Sequence, residues 1–148
     1  MRRLLATLLA GIALVTSTLP EGAAPSGHSA LQPAEWTAIQ DVIGDQLQAL
    51  KAGDGTKALA YSVPGLSRQF RSPEVFMRMV RDGYGALLTA RTSTFLKGAV
   101  VDGIKVQPLQ LVLPDNSVVV ALYRMEKQKD GAWRIAACVI APSQARST

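Results

Sequence analysis

One cysteine and one histidine are all that this 148-residue chain holds of the two side chains most used in nucleophilic and metal chemistry. Cys138, being alone, closes no intramolecular disulfide, so packing must hold the fold by itself. The only histidine, His28, lies in the expected linker and is lost if the leader is cut beyond it, which leaves Cys138 without a His partner for a nucleophilic pair. One Cys, one His and scattered carboxylates match no zinc-site spacing. A Gly-rich phosphate loop, a Ser-His-Asp set and a dinucleotide fingerprint are missing too. We therefore expect no cofactor and no metal. Aromatic residues make up 5% of the chain, and the basic ones form neither a compact run nor an aromatic-interleaved stretch. That composition argues against a nucleic-acid partner.

What is present begins with a leader. Arg2-Arg3 precedes an apolar run over residues 4–19, which stops at Pro20 and gives way to small residues around Gly22-Ala23-Ala24. This is the order of a secretory signal peptide, and the run is short for a membrane-spanning helix. We expect residues 1–24 to be a signal peptide with its cleavage point open, and residues 25–33 a flexible linker. Residues 34–142 then form a single α+β domain and residues 143–148 a disordered tail. The location that follows is periplasmic or secreted, with anchoring to the inner membrane by an uncleaved leader as the alternative.

The domain reads as helices first and strands last. At about 100° per residue, Trp36, Ile39, Ile43, Leu47 and Leu50 share one arc of a helix over residues 34–51, with Asp41 and Asp45 on its water side. Gly53 closes that helix, and Asp54 caps a short second one ending near Tyr61. Ser72-Pro73-Glu74 opens a third, with Phe76, Met79 and Val80 inward and Glu74 spaced to pair with Arg78. Strands are predicted at residues 92–97, 100–106, 109–113, 117–126 and 133–140, with Asp102-Gly103 able to break the second run. The strand from Val118 to Leu122 is apolar on both faces and is expected to be covered on both. Asp130-Gly131 turns the last hairpin. In its second arm strict alternation puts Trp133, Ile135, Ala137 and Val139 on one face, and Arg134, Ala136, Cys138 and Ile140 on the other. The fold class is α+β, N-terminal helices packed on a curved antiparallel sheet.

Several stretches carry a resemblance. They are Gln46–Asp54, Phe70–Phe76, Met79–Tyr84, Ala121–Glu126 and Asp130–Cys138. Together they resemble the bacterial family known as the domain of unknown function 4864, over roughly residues 36–140, with Ala137 where a Gly is expected before the Cys. The order of elements resembles the nuclear-transport-factor-two-like, or cystatin-like, cone fold. That resemblance implies a cavity between helices and sheet, and an open sheet face through which many such proteins form homodimers. It assigns no activity.

The candidate residues divide into two groups. Tyr61, Tyr84, Tyr123 and Trp133 each join an apolar body to a polar tip, and with Cys138 they are candidates to line a ligand pocket. Cys138 also reads simply as a small buried hydrophobe. Arg68, Arg71, Arg78 and Arg81 are a candidate anion-binding patch, or a solvated face. No residue is assigned a catalytic role. The expectation is an exported, non-enzymatic module that binds a small apolar or amphipathic ligand or pairs with a protein, a homodimer through the sheet face included. One alternative is a small isomerase or hydrolase with a pocket acid or base. Another is an envelope module that docks anionic lipid.

Overall fold

A helix that begins at a proline and carries one buried, mostly apolar stripe sets the frame. The computed structural model describes residues 30–143. Helix α1 (Pro33–Lys51) starts with Pro33 in its first turn, where a missing N–H costs nothing. Gln32 and Glu35 close a reciprocal capping box there. Leu31 already packs against the core, just ahead of the helix. The expected arc is the buried one, with Ile39, Ile43, Leu47 and Leu50 inside and Trp36 half-buried. Gln46 shares that buried arc.

Four shorter helices follow. Asp54 caps α2 (Gly55–Ala60), accepting the Lys57 N–H at 2.9 Å. Pro64, in the first turn, starts α3 (Pro64–Ser67). Ser72 caps α4 (Pro73–Gly83) by accepting the Val75 N–H. Glu74 forms no ion pair with Arg78 among the described residues. It folds back on the helix start instead, where hydrogen bonds from its own backbone and from Ser72 hold its carboxyl below the usual range. Tyr84 ends α4 and leads into α5 (Gly85–Thr89), a turn of helix with no side-chain cap that the sequence does not announce.

The five strands are β1 (Thr92–Phe95), β2 (Ala99–Val101), β3 (Ile104–Val112), β4 (Val118–Lys127) and β5 (Trp133–Pro142). They form one antiparallel sheet in which β1 and β2 lie end to end along one side of β3, followed by β4 and then β5 at the edge. Asp102 (φ 50°) and Gly103 (φ 76°) make the two-residue turn between β2 and β3. Gly131 (φ 85°) takes the left-handed position in the longer turn over residues 128–132 that leads into β5.

The sequence places a break before Leu109, but β3 runs unbroken through Pro108. The Pro108 carbonyl accepts the Leu96 N–H, so the ring nitrogen faces the same side, at the gap between β1 and β2. No ladder bond is lost there. The fully buried Gln107 seals the gap. Its Nε2 donates to the carbonyls of Leu96 and Pro108 at 2.7 and 2.9 Å, and its Oε1 accepts from Gln40 of α1.

One register shift changes the reading of β5. Arg124 pairs with Ala137 but Met125 pairs with Ile135, which leaves Ala136 as a bulge residue. Trp133 and Ile135 point to the helices before the bulge, and Cys138 and Ile140 point there after it. Ala137 and Val139 therefore lie on the outer face, and Val139 is 58% exposed. Strict alternation misassigns that half of the strand. The outer face is also less covered than expected, since Leu122 is 37% exposed. Inside, Tyr123, Leu109, Leu111 and Met125 meet Ile39 and Ile43 in the core.

The leader expected at 1–24 lies outside the described residues, as do most of the linker at 25–33 and nearly all of the tail at 143–148.

A neutral cleft between the helices and the edge strand

Residues 61–63 run beside β5 as a short parallel partner. Ile135 donates its N–H to the Tyr61 carbonyl, and its own carbonyl accepts the Val63 N–H, at 2.8 and 2.9 Å. Beyond that pairing a half-open cleft of about 210 Å³ lies between β5 and the helices. From α1 come Gln46 and Leu50, and from the turn after α2 comes Ser62. Leu66 and Phe70 follow on and after α3, then Phe76, Met79 and Val80 of α4, Tyr84, and Leu87 of α5. Ile135, Ala136, Ala137 and Cys138 form the sheet wall. Phe70 and Phe76 meet edge-to-face at 5.1 Å, a favoured aromatic geometry that stiffens one wall. None of the lining side chains carries a charge at neutral pH.

Of the five pocket candidates, the cleft takes two. Tyr84 lines it and donates its hydroxyl to the Cys138 carbonyl at 3.1 Å, tying the α4–α5 junction to the sheet. Cys138 lines it from the sheet side. Tyr61 packs on the core through its ring, outside the lining. Trp133 is buried at the far end of the β4–β5 ladder, with the Lys127 ammonium 5.7 Å from its ring centroid and that ammonium also bonded to Glu35 of α1. Tyr123 is fully buried opposite Cys138.

The Tyr123 hydroxyl is the one buried side-chain oxygen or nitrogen without a hydrogen-bond partner of good geometry among the described residues, and the Cys138 thiol lies beside it. Burial pushes the Tyr123 phenol well above its ordinary value, with the nearby thiol adding to the effect. Burial likewise pushes Cys138 up to about 12, opposed in part by Tyr123. Neither group is a base or a nucleophile at neutral pH. An unsatisfied buried hydroxyl costs roughly 1–3 kcal/mol. Tyr123→Phe is therefore expected to raise stability by about 1 kcal/mol in urea unfolding, and a loss of that size would show that the hydroxyl is satisfied in solution.

The four arginines lie elsewhere. Arg68 and Arg71 flank the loop before α4, and Arg78 and Arg81 sit on the exposed side of that helix. All four are exposed and in no ion pair among the described residues. Arg81 borders a second, shallow cleft with Asp54 and Glu74, where two carboxylates offset its charge. No cluster of three or more His, Cys, Asp or Glu side chains suited to a metal ion occurs among the described residues. No helix among them is long and apolar enough to cross a membrane.

Sequence reasoning missed Gln46 and Ser62, both 5% exposed and both on the cleft wall. For Gln46 a signal existed, since it falls in series with Ile39, Ile43 and Leu50 on the apolar arc. For Ser62 there was none.

These features define an α+β protein with a helical layer, a five-stranded antiparallel sheet and an uncharged cleft between them. The chain belongs to the family described as Domain of unknown function (DUF4864), whose family model matches residues 32–148. No curated protein matches the chain.

Proposed function

We propose that the protein is an exported, non-enzymatic binding module that takes a small apolar or amphipathic ligand in the cleft. The cleft's mostly apolar, uncharged lining carries the reading, because such a concave surface with a few polar groups is suited to small-molecule capture. The high thiol and phenol values weigh against the isomerase or hydrolase alternative, which needs a group that exchanges protons near neutral pH. The leader-like residues 1–24 support export. The order of helices and sheet is compatible with the cone fold, in which a cavity of this kind is common. Native mass spectrometry of protein purified from its own compartment is expected to show a retained small molecule. Met79→Trp adds bulk to the cleft lining and is expected to abolish that adduct while the protein still unfolds in one cooperative transition. A bare wild-type protein that also takes up no small apolar probe would refute the reading.

A second observation favours self-association. Among the described residues, four of the six exposed large hydrophobics, Val101, Ile104, Leu122 and Val139, fall on the outer face of the sheet by strand register. Pro108, Leu122 and Val139 are cross-strand neighbours there. Arg124 on the same face is neutralised by Glu126 at 2.9 Å, so a second copy need not bring a counter-charge. We propose that this face meets its own copy as an isologous dimer. Sedimentation equilibrium is expected to show a dimer that Val139→Lys splits, and a monomer at high concentration would remove the proposal.

A further inference from the structure

Two nearly buried polar side chains on the cleft wall each keep an oxygen with no hydrogen-bond partner among the described residues. The Gln46 amide is fixed by the Ala58 carbonyl, which accepts its Nε2 at 3.3 Å, so the amide oxygen is the atom left over. Ser62, just beyond the end of α2, contributes a hydroxyl that is likewise in no hydrogen bond among the described residues. Neither oxygen is sealed in protein, since the Tyr123 hydroxyl alone is both buried and unsatisfied among the described residues. Both residues line the cleft. The Tyr84 hydroxyl is already committed to the Cys138 carbonyl.

We infer that the cleft selects an uncharged amphiphile whose head donates a hydrogen bond, a hydroxyl or carboxamide on a compact apolar body, held by Gln46 Oε1 and Ser62 Oγ. This deepens the proposed ligand-binding function and rests on it. A wholly apolar ligand would bury both oxygens unsatisfied, at a cost worth about ten-fold or more in affinity. An anionic head would enter a cleft with no cation on its wall and would leave its charge uncompensated. Size sets the other limit. An apolar cavity of about 150 Å³ holds benzene, so in proportion about 210 Å³ takes roughly eight heavy atoms, a substituted ring or short branched chain.

The test compares four probes of one shape by ligand-detected NMR titration at pH 8: 4-methylbenzyl alcohol, 4-methylbenzamide, p-xylene and 4-methylbenzoate. The alcohol and the amide are expected to bind about ten-fold or more tightly than p-xylene, with the carboxylate weaker still. Ser62→Ala is expected to erase most of the alcohol's advantage, weakening the alcohol and tightening p-xylene, which no longer buries that oxygen unsatisfied. Gln46→Met should do the same, and if that variant fails to fold, the Ser62 variant and the wild-type series decide alone. Equal binding of p-xylene and the alcohol, or binding of the carboxylate as tight as the alcohol, would overturn this inference and leave the cleft as a ligand site. Binding of none of the four would overturn both.

Discussion

In the folded protein at pH 8, Cys138 is expected to react with a soluble disulfide reagent at least about fifty-fold more slowly than in the denatured chain. A small reagent has a path, because the residue is only partly buried and lines the half-open cleft. Ionisation is the limit. With the thiol pushed up to about 12, roughly one molecule in ten thousand is a thiolate at pH 8. An unfolded cysteine near 8.5 is ionised in about a quarter of molecules. The ratio exceeds a thousand, but a more basic thiolate is a better nucleophile and recovers about forty-fold of it. The population effect still wins. Labelling as fast in the native state as in denaturant would show that the thiol is solvated and not held among apolar groups.

The same environment ties stability to alkaline pH. A folded-state value raised above the unfolded one contributes stability in full below the unfolded value, about 8.5, and loses it as pH rises toward the folded value. Unfolding free energy is expected to fall above about pH 8.5 at no more than about 1.4 kcal/mol per pH unit, with Tyr123 joining in the same direction above about pH 10. Cys138→Ala removes the first part of the slope and leaves the second. Urea unfolding across pH 7–11 reads both.

Gly98→Ala is the second large effect. A Cβ at that position would stand 2.3–2.6 Å from three ring carbons of Trp36, closer than any side chain tolerates. Trp36 projects from the first turns of α1 and lies flat over the β1–β2 connection, so the glycine is there because a tryptophan face occupies the space. The ring packs against the core and has no flexible end to swing away, so helix and loop must part. We expect a loss of about 1–3 kcal/mol, the usual range for overpacking. In a Trp36→Leu background the same change should cost less, a coupling of at least about 0.5 kcal/mol. Strict additivity of the two changes would mean that the contact is absent in solution.

What the sequence disclosed follows from how local each cause is. Ser72, Asp54 and Asp130-Gly131 act within three or four residues, and each cap or turn appears where those residues predict it. The apolar arc of α1 is equally legible because it needs only the helical period. Pro108 misled because its tolerance depends on where β1 and β2 stop, a fact of pairing that lies outside its own segment. Within the cleft, Tyr84 and Cys138 were nameable as side chains with a polar tip, whereas Tyr123 and Trp133 have the same chemistry and lie in the core. Residue type alone does not separate them. Gln46 was discoverable as a polar interruption of an apolar stripe, and Ser62 acquires its place only from the 61–63 pairing with β5.

The extra residue at Ala136 has a consequence for how this strand tolerates change. Side chains alternate with a period of two, so one inserted position works as a phase reset, and everything downstream takes its orientation from it. Pair Ala136 with Arg124 instead of letting it bulge, and the remainder of β5 turns inside out: Ala137 would face Tyr123, and Cys138 and Ile140 would go to the outer face. Deleting Ala136 does the opposite, because Ala137 then still meets Arg124 and Cys138 still meets Tyr123 in a regular ladder. The inward thiol and the wall of the cleft thus depend on where the strand absorbs its extra residue.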